Sequence, residues 1–495
     1  MPSASAALDL DAVRDYAPRR PVDSPLYRLL QHHLEPFLAT AARGDPDTTP
    51  VPPFVRKELQ KYLRCGILAH GFSRLRCPDC HEERLVPFTC KGRGLCPSCG
   101  GKRMTELAAH LLERVVPVVP TRQWVLSLPH RLRYRLAYDH ELCCAALRVF
   151  TRALCAHYRQ RARKRGTADG RSGTVTFIQR FGGALNLNVH FHTVALDGVF
   201  FENAAEELHF HKLPPPSDDE VARLVVTVRA RILRLLSRRG ILDDDTFEDP
   251  LAGEHPVLAA VYAGSVRQKR ALGPHRGWGV ARVGSDPDAV PVERCSRRHA
   301  HRDGFDLHAN VAVRRSRRDK LERLLRYCAR PPIASERLHE LPDGRIALRL
   351  KSPWSDGTSH LVFEPDELLE RICSLIPRPQ INLVVYHGVL APNARWRRRV
   401  VTHGRAALPQ TTTAPPMSRA ALRQWAALMQ RAFRIDVLAC PRCGGRMKLL
   451  AVLIDPRVVR RILLHLGIPA DAPSVTPARA PPELDFADDL YDQSA

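Results

Sequence analysis

The run Leu187-Asn188-Val189-His190-Phe191-His192-Thr193-Val194-Ala195-Leu196 constrains the fold of this chain more than any other segment. In an extended strand successive side chains face opposite ways, so His190 and His192 share one face and Phe191 is free to enter a core on the other. Two imidazoles on one rigid face make a seat for a metal ion. A second copy of the pattern, His209-Phe210-His211, is an internal control. It follows Glu206-Glu207 and runs into Lys212-Leu213-Pro214-Pro215-Pro216, where prolines rule out a central strand, so an edge or loop segment is expected there. The first copy lies between the β-rich residues 174–179 and 194–201 and is predicted to be an interior strand. The competing reading makes His190 and His192 polar positions on a half-buried strand and nothing more.

At 495 residues the chain is long enough for two or three domains with their own cores. A net charge of +24 and a pI near 10.0 point to a polyanionic partner, nucleic acid by default. The arginines cluster at residues 159–165, 297–298, 314–318 and 395–399, which suits phosphate contact better than a diffuse solubilising charge. No apolar run approaches the ~20 residues of a membrane span, and Met1-Pro2-Ser3-Ala4 does not begin a basic-then-apolar signal, so a cytoplasmic, nucleoid-associated protein with no membrane partner is expected. In a reducing compartment the 14 cysteines are read as thiols or metal ligands.

Residues 1–52, rich in Pro and Asp around a helical patch at 27–38, are expected to form a loosely attached arm, and residues 53–104 a zinc-binding module. From 105 to 401 the pattern alternates between helix and strand: a helix at 105–116, a strand at 124–128, a long helix at 141–161, the strands around His190, and a helix at 218–239 that Gly240 stops. Residues 240–300 read as irregular, and a basic helix runs from 318 to 330. Residues 402–467 hold a Thr/Pro/Ala linker, a helix at 418–434 and Cys440-Pro441-Arg442-Cys443, and residues 468–495 read as a disordered acidic tail. The fold class expected is α+β, an antiparallel sheet flanked by helices and preceded by a small zinc module.

Cys77-x2-Cys80 and Cys96-x2-Cys99 are fifteen residues apart, the spacing at which two knuckles present four thiolates to one tetrahedral zinc. A structural zinc would stabilise a module too short to build its own core. The turn Lys91-Gly92-Arg93-Gly94 would then offer Lys91 and Arg93 to nucleic acid. Cys65 and Cys90 are left over, and packing as small apolar residues is preferred to a second site with His70. Cys440-x2-Cys443 has no following knuckle; a relic turn with free thiols is preferred to ligands borrowed from elsewhere.

A metal on two histidines invites a nucleophile, and Tyr327 is the best candidate. On the helix at 319–330, Leu321, Leu325 and Cys328 share one stripe with Leu324 at its edge. At about 100° per residue Tyr327 falls a quarter-turn or more off that stripe. Arg323, Arg326 and Arg330 place charge around it that suits a phosphate, and Pro331-Pro332 stop the helix. The competing reading is a helix tyrosine with a half-buried ring and a wet hydroxyl.

Several long segments carry a resemblance. The core Thr89-Cys90-Lys91-Gly92-Arg93-Gly94-Leu95-Cys96-Pro97-Ser98-Cys99 resembles the zinc domain of rolling-circle insertion-sequence transposases, the IS-ninety-one-like and ISCR elements. So do residues 126–133, residues 181–192 through the histidine pair, and Arg326-Tyr327-Cys328-Ala329-Arg330-Pro331-Pro332. Residues 350–358 and 386–394 continue the likeness, which spans roughly residues 50 to 470 in the family's order. The resemblance implies an HUH endonuclease in which His190 and His192 bind Mg or Mn and Tyr327 attacks DNA at single-stranded or melted element ends. Members with two catalytic tyrosines carry them four residues apart on this helix; here Arg323 stands at the first, so the chain resembles the single-tyrosine branch. A single tyrosine per chain is compatible with a homo-oligomer.

The implied chemistry is in-line attack to give a 5′-phosphotyrosine and a free 3′-hydroxyl, then reversal onto a second strand. Phenols ionise near ~10, so the cations beside one must favour the phenolate. Gln179 and His130 are the candidates for a third metal ligand, whereas Asp197 alternates to the face away from the histidines. No Gly-x4-Gly-Lys-Ser/Thr loop is present, and ATP is not expected. Two other functions are weighed: a zinc-dependent DNA-binding regulator without catalysis, and a metal-dependent phosphodiesterase that uses water in place of Tyr327.

Overall fold

The computed structural model describes residues 19–42, 51–242, 249–286, 296–405, 426, 429 and 436–478. All but residues 426 and 429 of the expected helix at 418–434, and most of the acidic tail, lie outside them.

Seven strands form the main sheet, every pair of them antiparallel. Across it run Val384–Gly388, Gly173–Phe181, Leu187–Leu196, Thr121–Ser127, Phe305–His308 and His299–Arg302, with Ala312–Val313 also paired to Thr121–Ser127. The histidine strand Leu187–Leu196 is therefore interior, as its flanks predict. His209 and His211 lie on Leu208–Lys212, in a two-stranded hairpin with Gly198–Glu202, outside the main sheet.

The period-2 pattern of the histidine strand divides the core. Its odd positions Val189, Phe191 and Ala195 join Trp124, Leu126, Ile178 and Leu307 under a helical layer that includes His140–Arg163 and Asp218–Arg238. Its even positions Val194 and Leu196 join Val175 and Phe177 on the other face, beneath the tyrosine helix Arg318–Ala329. Leu321, Leu324, Leu325 and Cys328 are the buried stripe of that helix, and Tyr327 is 45% exposed beside it.

Asp218–Arg238 starts and stops where its sequence dictates. Ser217 and Glu220 form a reciprocal capping box, three acids occupy the first turn, and Gly240 follows at φ +67°. The helix expected at 105–116 begins earlier, at Pro97, with Cys96 as its N-cap. Residues 240–300 are more regular than expected, since Pro256–Arg267 is a helix burying Leu258, Val261, Tyr262 and Val266.

Of the expected N-terminal arm, Pro25–Ala42 is docked, not loose. In Pro25–Ala42 the residues Leu26, Leu30 and Leu34 are fully buried, packed with the buried helix Pro365–Leu375 and a four-stranded sheet of Leu338–Glu340, Ile346–Arg349, His360–Phe363 and Ala281–Val283. The 4-residue spacing of those leucines, one helical face, outweighs the Pro/Asp composition around them. Among the described residues no helix is long and apolar enough to cross a membrane.

Asp197 faces away from the histidines and holds Arg122 bidentately at 3.0 and 2.9 Å. It also accepts from the Tyr158 hydroxyl at 3.2 Å, while Arg122 donates to the Ala309 carbonyl at 2.9 Å. Both partners are almost fully buried. Asp197→Ala strands a buried guanidinium and should destabilise the protein by about 3–5 kcal/mol, read as a fall in the thermal midpoint.

Candidate active site and metal centres

His190 and His192 are brought together as predicted. Their Nε2 atoms are 3.0 Å apart, on the face that the tyrosine helix covers. His190 Nδ1 donates to the Asn188 carbonyl at 2.9 Å, which leaves its Nε2 as a free lone pair. His192 Nδ1 lies 2.8 Å from the amide nitrogen Nε2 of Gln123. Burial first, then the positive charges of Arg330 and Arg133, brings the pKa of His190 down to about 4. Burial, then His190 and Arg330, brings that of His192 down to about 2. Both rings are neutral near pH 7, the form that binds a cation.

Gln179 pairs with His190 in register across the neighbouring strand, so its side chain is on the histidine face. Its Nε2 donates to the Cys328 carbonyl at 2.8 Å, tying the sheet to the tyrosine helix, and its buried Oε1 has no hydrogen-bond partner. His130 is exposed at the start of His130–Tyr138, where it bonds the Val266 backbone. Two neutral imidazole nitrogens and one orphaned amide oxygen are a donor set that fits a divalent cation.

The ring of Tyr327 stands edge-on to His192, centroids 5.7 Å apart. The Arg330 guanidinium lies 4.0 Å from the Tyr327 ring centre, and Nζ of Lys351 lies 5.2 Å from it. Burial and the neighbouring charges of Arg330 and Arg337 lower the pKa of Lys351. Arg323 and Arg326 do not join this group. Each is held by an acid one turn earlier on its own helix, Asp319 and Glu322, at 2.7 Å. Lys351 was the cation that sequence reasoning missed, although it lies in the segment 350–358 that carries the family likeness.

The cysteines sort differently from the sequence expectation. Cys77 and Cys80 do not share a site with Cys96 and Cys99. Among the described residues two groups of thiols converge: Cys65, Cys90, Cys96 and Cys99, and Cys77, Cys80, Cys440 and Cys443, with all sulfurs of a group within 4.8 Å of one another. The hairpin Phe72–Arg76 and Glu83–Pro87 enforces the split. Cys77 and Cys80 sit at its tip and Cys90 lies beyond its other end; a five-residue strand spans about 17 Å, too far for one ion. Cys65 and Cys90 thus stand with Cys96 and Cys99, and Cys440 and Cys443 with Cys77 and Cys80, where packing as spare residues or as a lone turn was expected.

In the first group Cys65 Sγ is 3.6 Å from Cys96 Sγ and 3.8 Å from Cys99 Sγ, and Cys90 Sγ is 3.5 Å from Cys99 Sγ. A tetrahedron with Zn–S bonds of about 2.3 Å has edges near ~3.8 Å, so the donor set fits zinc. Backbone N–H groups of Gly92 and Cys99 point at the sulfurs of Cys90 and Cys96, and the Arg19 guanidinium approaches Cys96 Sγ to 4.0 Å, which complements the charge of four thiolates.

This module is a wall of the candidate site. A side chain on Gly100 would meet Pro331 at 2.7 Å, so glycine permits the close approach. A cavity of about 280 Å³ lies between the module and the tyrosine helix, lined among others by Arg93, Arg103, Gln179 and Arg330. Lys91 and Arg93 are exposed on the intervening turn, as predicted, and Arg93 Nη1 donates to the Ile381 carbonyl at 3.2 Å.

Two family models match the chain. One, described as "Transposase zinc-binding domain", matches residues 29–128. The other, described as "Putative transposase", matches residues 173–398. No curated protein and no solved structure matches it. The first span holds all of Cys65, Cys90, Cys96 and Cys99, and the second holds His190, His192 and Tyr327.

Proposed function

Since the chain belongs to the IS-ninety-one-like transposases that carry an N-terminal zinc-binding domain, we propose that it nicks and transfers single DNA strands through a 5′-phosphotyrosine on Tyr327. The observation that carries this reading is the placement of the half-exposed Tyr327 ring 5.7 Å from His192 and beneath Arg330.

His190, His192 and Gln179 would hold Mg or Mn, which when bound polarises the scissile phosphate and offsets the charge developing on it. Tyr327 attacks phosphorus in line: the bond from its Oη to phosphorus forms and the bond to the 3′ oxygen breaks. The phenol gives up its proton, and the departing 3′ oxygen takes one up. Arg330 and Lys351 face the ring and bring positive charge to where the scissile phosphate would lie. Reversal by a second 3′-hydroxyl completes transfer. Arg93 and Arg103, across the cavity, hold the backbone of the approaching strand. With one tyrosine on the helix, the donor and target strands call for two copies of the chain, acting on DNA in the cytoplasm. Residues 105–401 are the catalytic unit, with the zinc module 53–104 as its wall, one zinc ion on Cys65, Cys90, Cys96 and Cys99, and Lys91 beside the strand's path.

The test is a single-stranded oligonucleotide from the element's own end, incubated with Mn and resolved on a denaturing gel. A covalent adduct mapped to Tyr327 supports the reading. Cleavage without an adduct favours the water-using phosphodiesterase, and binding without cleavage favours the regulator.

For His192 to present Nε2 to a cation its proton must sit on Nδ1, so the Gln123 carboxamide, whose Nε2 lies 2.8 Å from that nitrogen, must turn its oxygen to it and accept. Gln123→Leu should weaken Mn binding about 10–100-fold in a calorimetric titration, with the chain still folded.

A further inference from the structure

Cys440 and Cys443 lie outside both matched spans. Yet the turn that carries them is a copy of the one that carries Cys77 and Cys80. In Cys77-Pro78-Asp79-Cys80 the Cys77 N–H donates to the Glu82 carbonyl at 2.8 Å and the His81 N–H to the Cys77 carbonyl at 3.1 Å. In Cys440-Pro441-Arg442-Cys443 the Cys440 N–H donates to the Gly445 carbonyl at 2.8 Å and the Gly444 N–H to the Cys440 carbonyl at 2.9 Å. The residue after the second cysteine is left-handed in both, His81 at φ +63° and Gly444 at φ +74°. The two knuckles face each other. Cys77 Sγ is 3.5 Å from Cys443 Sγ, and Cys80 Sγ is 3.4 Å from Cys440 Sγ.

These separations are far beyond a disulfide of about 2.05 Å and close to the edge of a zinc–thiolate tetrahedron. Gly445 packs against Asp79 and Cys443 so closely that a side chain there would strike both. Among the described residues the buried apolar groups around the thiols are chiefly Leu75, Ala426, Val437, Leu438 and Met447. So small a core gains most from a bound ion. Next to it Lys448–Leu453 pairs antiparallel with Phe72–Arg76 as the third strand of the small sheet.

We propose that Cys77, Cys80, Cys440 and Cys443 hold a second zinc ion, which clasps the C-terminal segment from Asp436 onward to the hairpin of the N-terminal module. This clasp does not depend on the nicking chemistry. Cys443 is exposed whereas Cys65, Cys96 and Cys99 are buried, so the clasp is the ion that a chelator reaches first.

The experiment is metal counting on the full-length protein by elemental analysis, with Co(II) titration of metal-stripped wild type as a measurement that needs no variant. Wild type should hold two zinc ions per chain and show thiolate–cobalt charge-transfer bands that grow to two equivalents. Cys440→Ser with Cys443→Ser should leave one ion, Cys77→Ser with Cys80→Ser the same one, and Cys65→Ser with Cys90→Ser only the clasp. Amide exchange at Lys448–Leu453 should rise at least about tenfold in the first two pairs and not in the third. A single thiolate–cobalt equivalent in wild type, or two zinc ions retained by the Cys440/Cys443 pair variant, overturns the proposal.

Discussion

Tyr327→Phe should abolish strand cleavage and the covalent protein–DNA adduct together, by at least about 10⁴-fold, while single-strand binding is unchanged. The substitution keeps the ring that packs against Arg330 and His192 and removes only the phenol oxygen. Tyr327 is 45% exposed, so the thermal midpoint should move by no more than about 0.5 kcal/mol of stability allows. Mn affinity should persist, because the histidines and Gln179 are untouched. An adduct mapped to Tyr134, Tyr138 or Tyr386 would refute the assignment. Tyr134 and Tyr138 are poor nucleophiles on physical grounds, since burial, together with Asp249, pushes Tyr138 up to about 12 and Tyr134 higher.

His190→Ala and His192→Ala should each remove metal-dependent cleavage and lower Mn affinity by on the order of 10²-fold or more, leaving DNA binding in place. Each deletes one of two imidazole nitrogens that meet at 3.0 Å. His192→Ala also removes one of the two partners of the buried Gln123 amide, leaving Cys328 Sγ, so it should destabilise the fold by about 1 kcal/mol as well. His209→Ala and His211→Ala should be nearly silent in cleavage, because that pair sits on a hairpin apart from the main sheet. If the second pair proved to be the essential one, the flanking prolines would have misled.

The histidine strand was legible because alternation and flanking prolines are local signals, and the stripe on the tyrosine helix was legible for the same reason. Gln179 could be named from sequence but not chosen over His130, since the choice rests on the cross-strand register of Gln179 with His190. The zinc ligands were misread for a related reason. The fifteen-residue gap between the knuckles fits one zinc on paper, and only the rigid hairpin of Phe72–Pro87 shows that the two knuckles point to opposite ends. Cys440 and Cys443 answer to partners 360 and 366 residues away, a relation that no window of sequence contains. Arg323 and Arg326 are spoken for by Asp319 and Glu322, four residues upstream, and such i,i+4 pairs are a local signal that the sequence does carry.

The strand Phe72–Arg76 is central to its small sheet only because Lys448–Leu453 covers one of its sides. Closing a loop of that length costs about 5 kcal/mol of chain entropy, and the covering strand is among the last described segments to be translated. At ribosomal speeds of about 5–20 residues per second, the two are separated by roughly 20–75 s. For that interval Phe72–Arg76 offers an open row of N–H and C=O groups to whatever strand is nearby. Copies of the element cut short before residue 448 would keep that edge open for good. Their products should therefore be found in aggregates and by chaperones more often than those of copies cut short within the acidic tail.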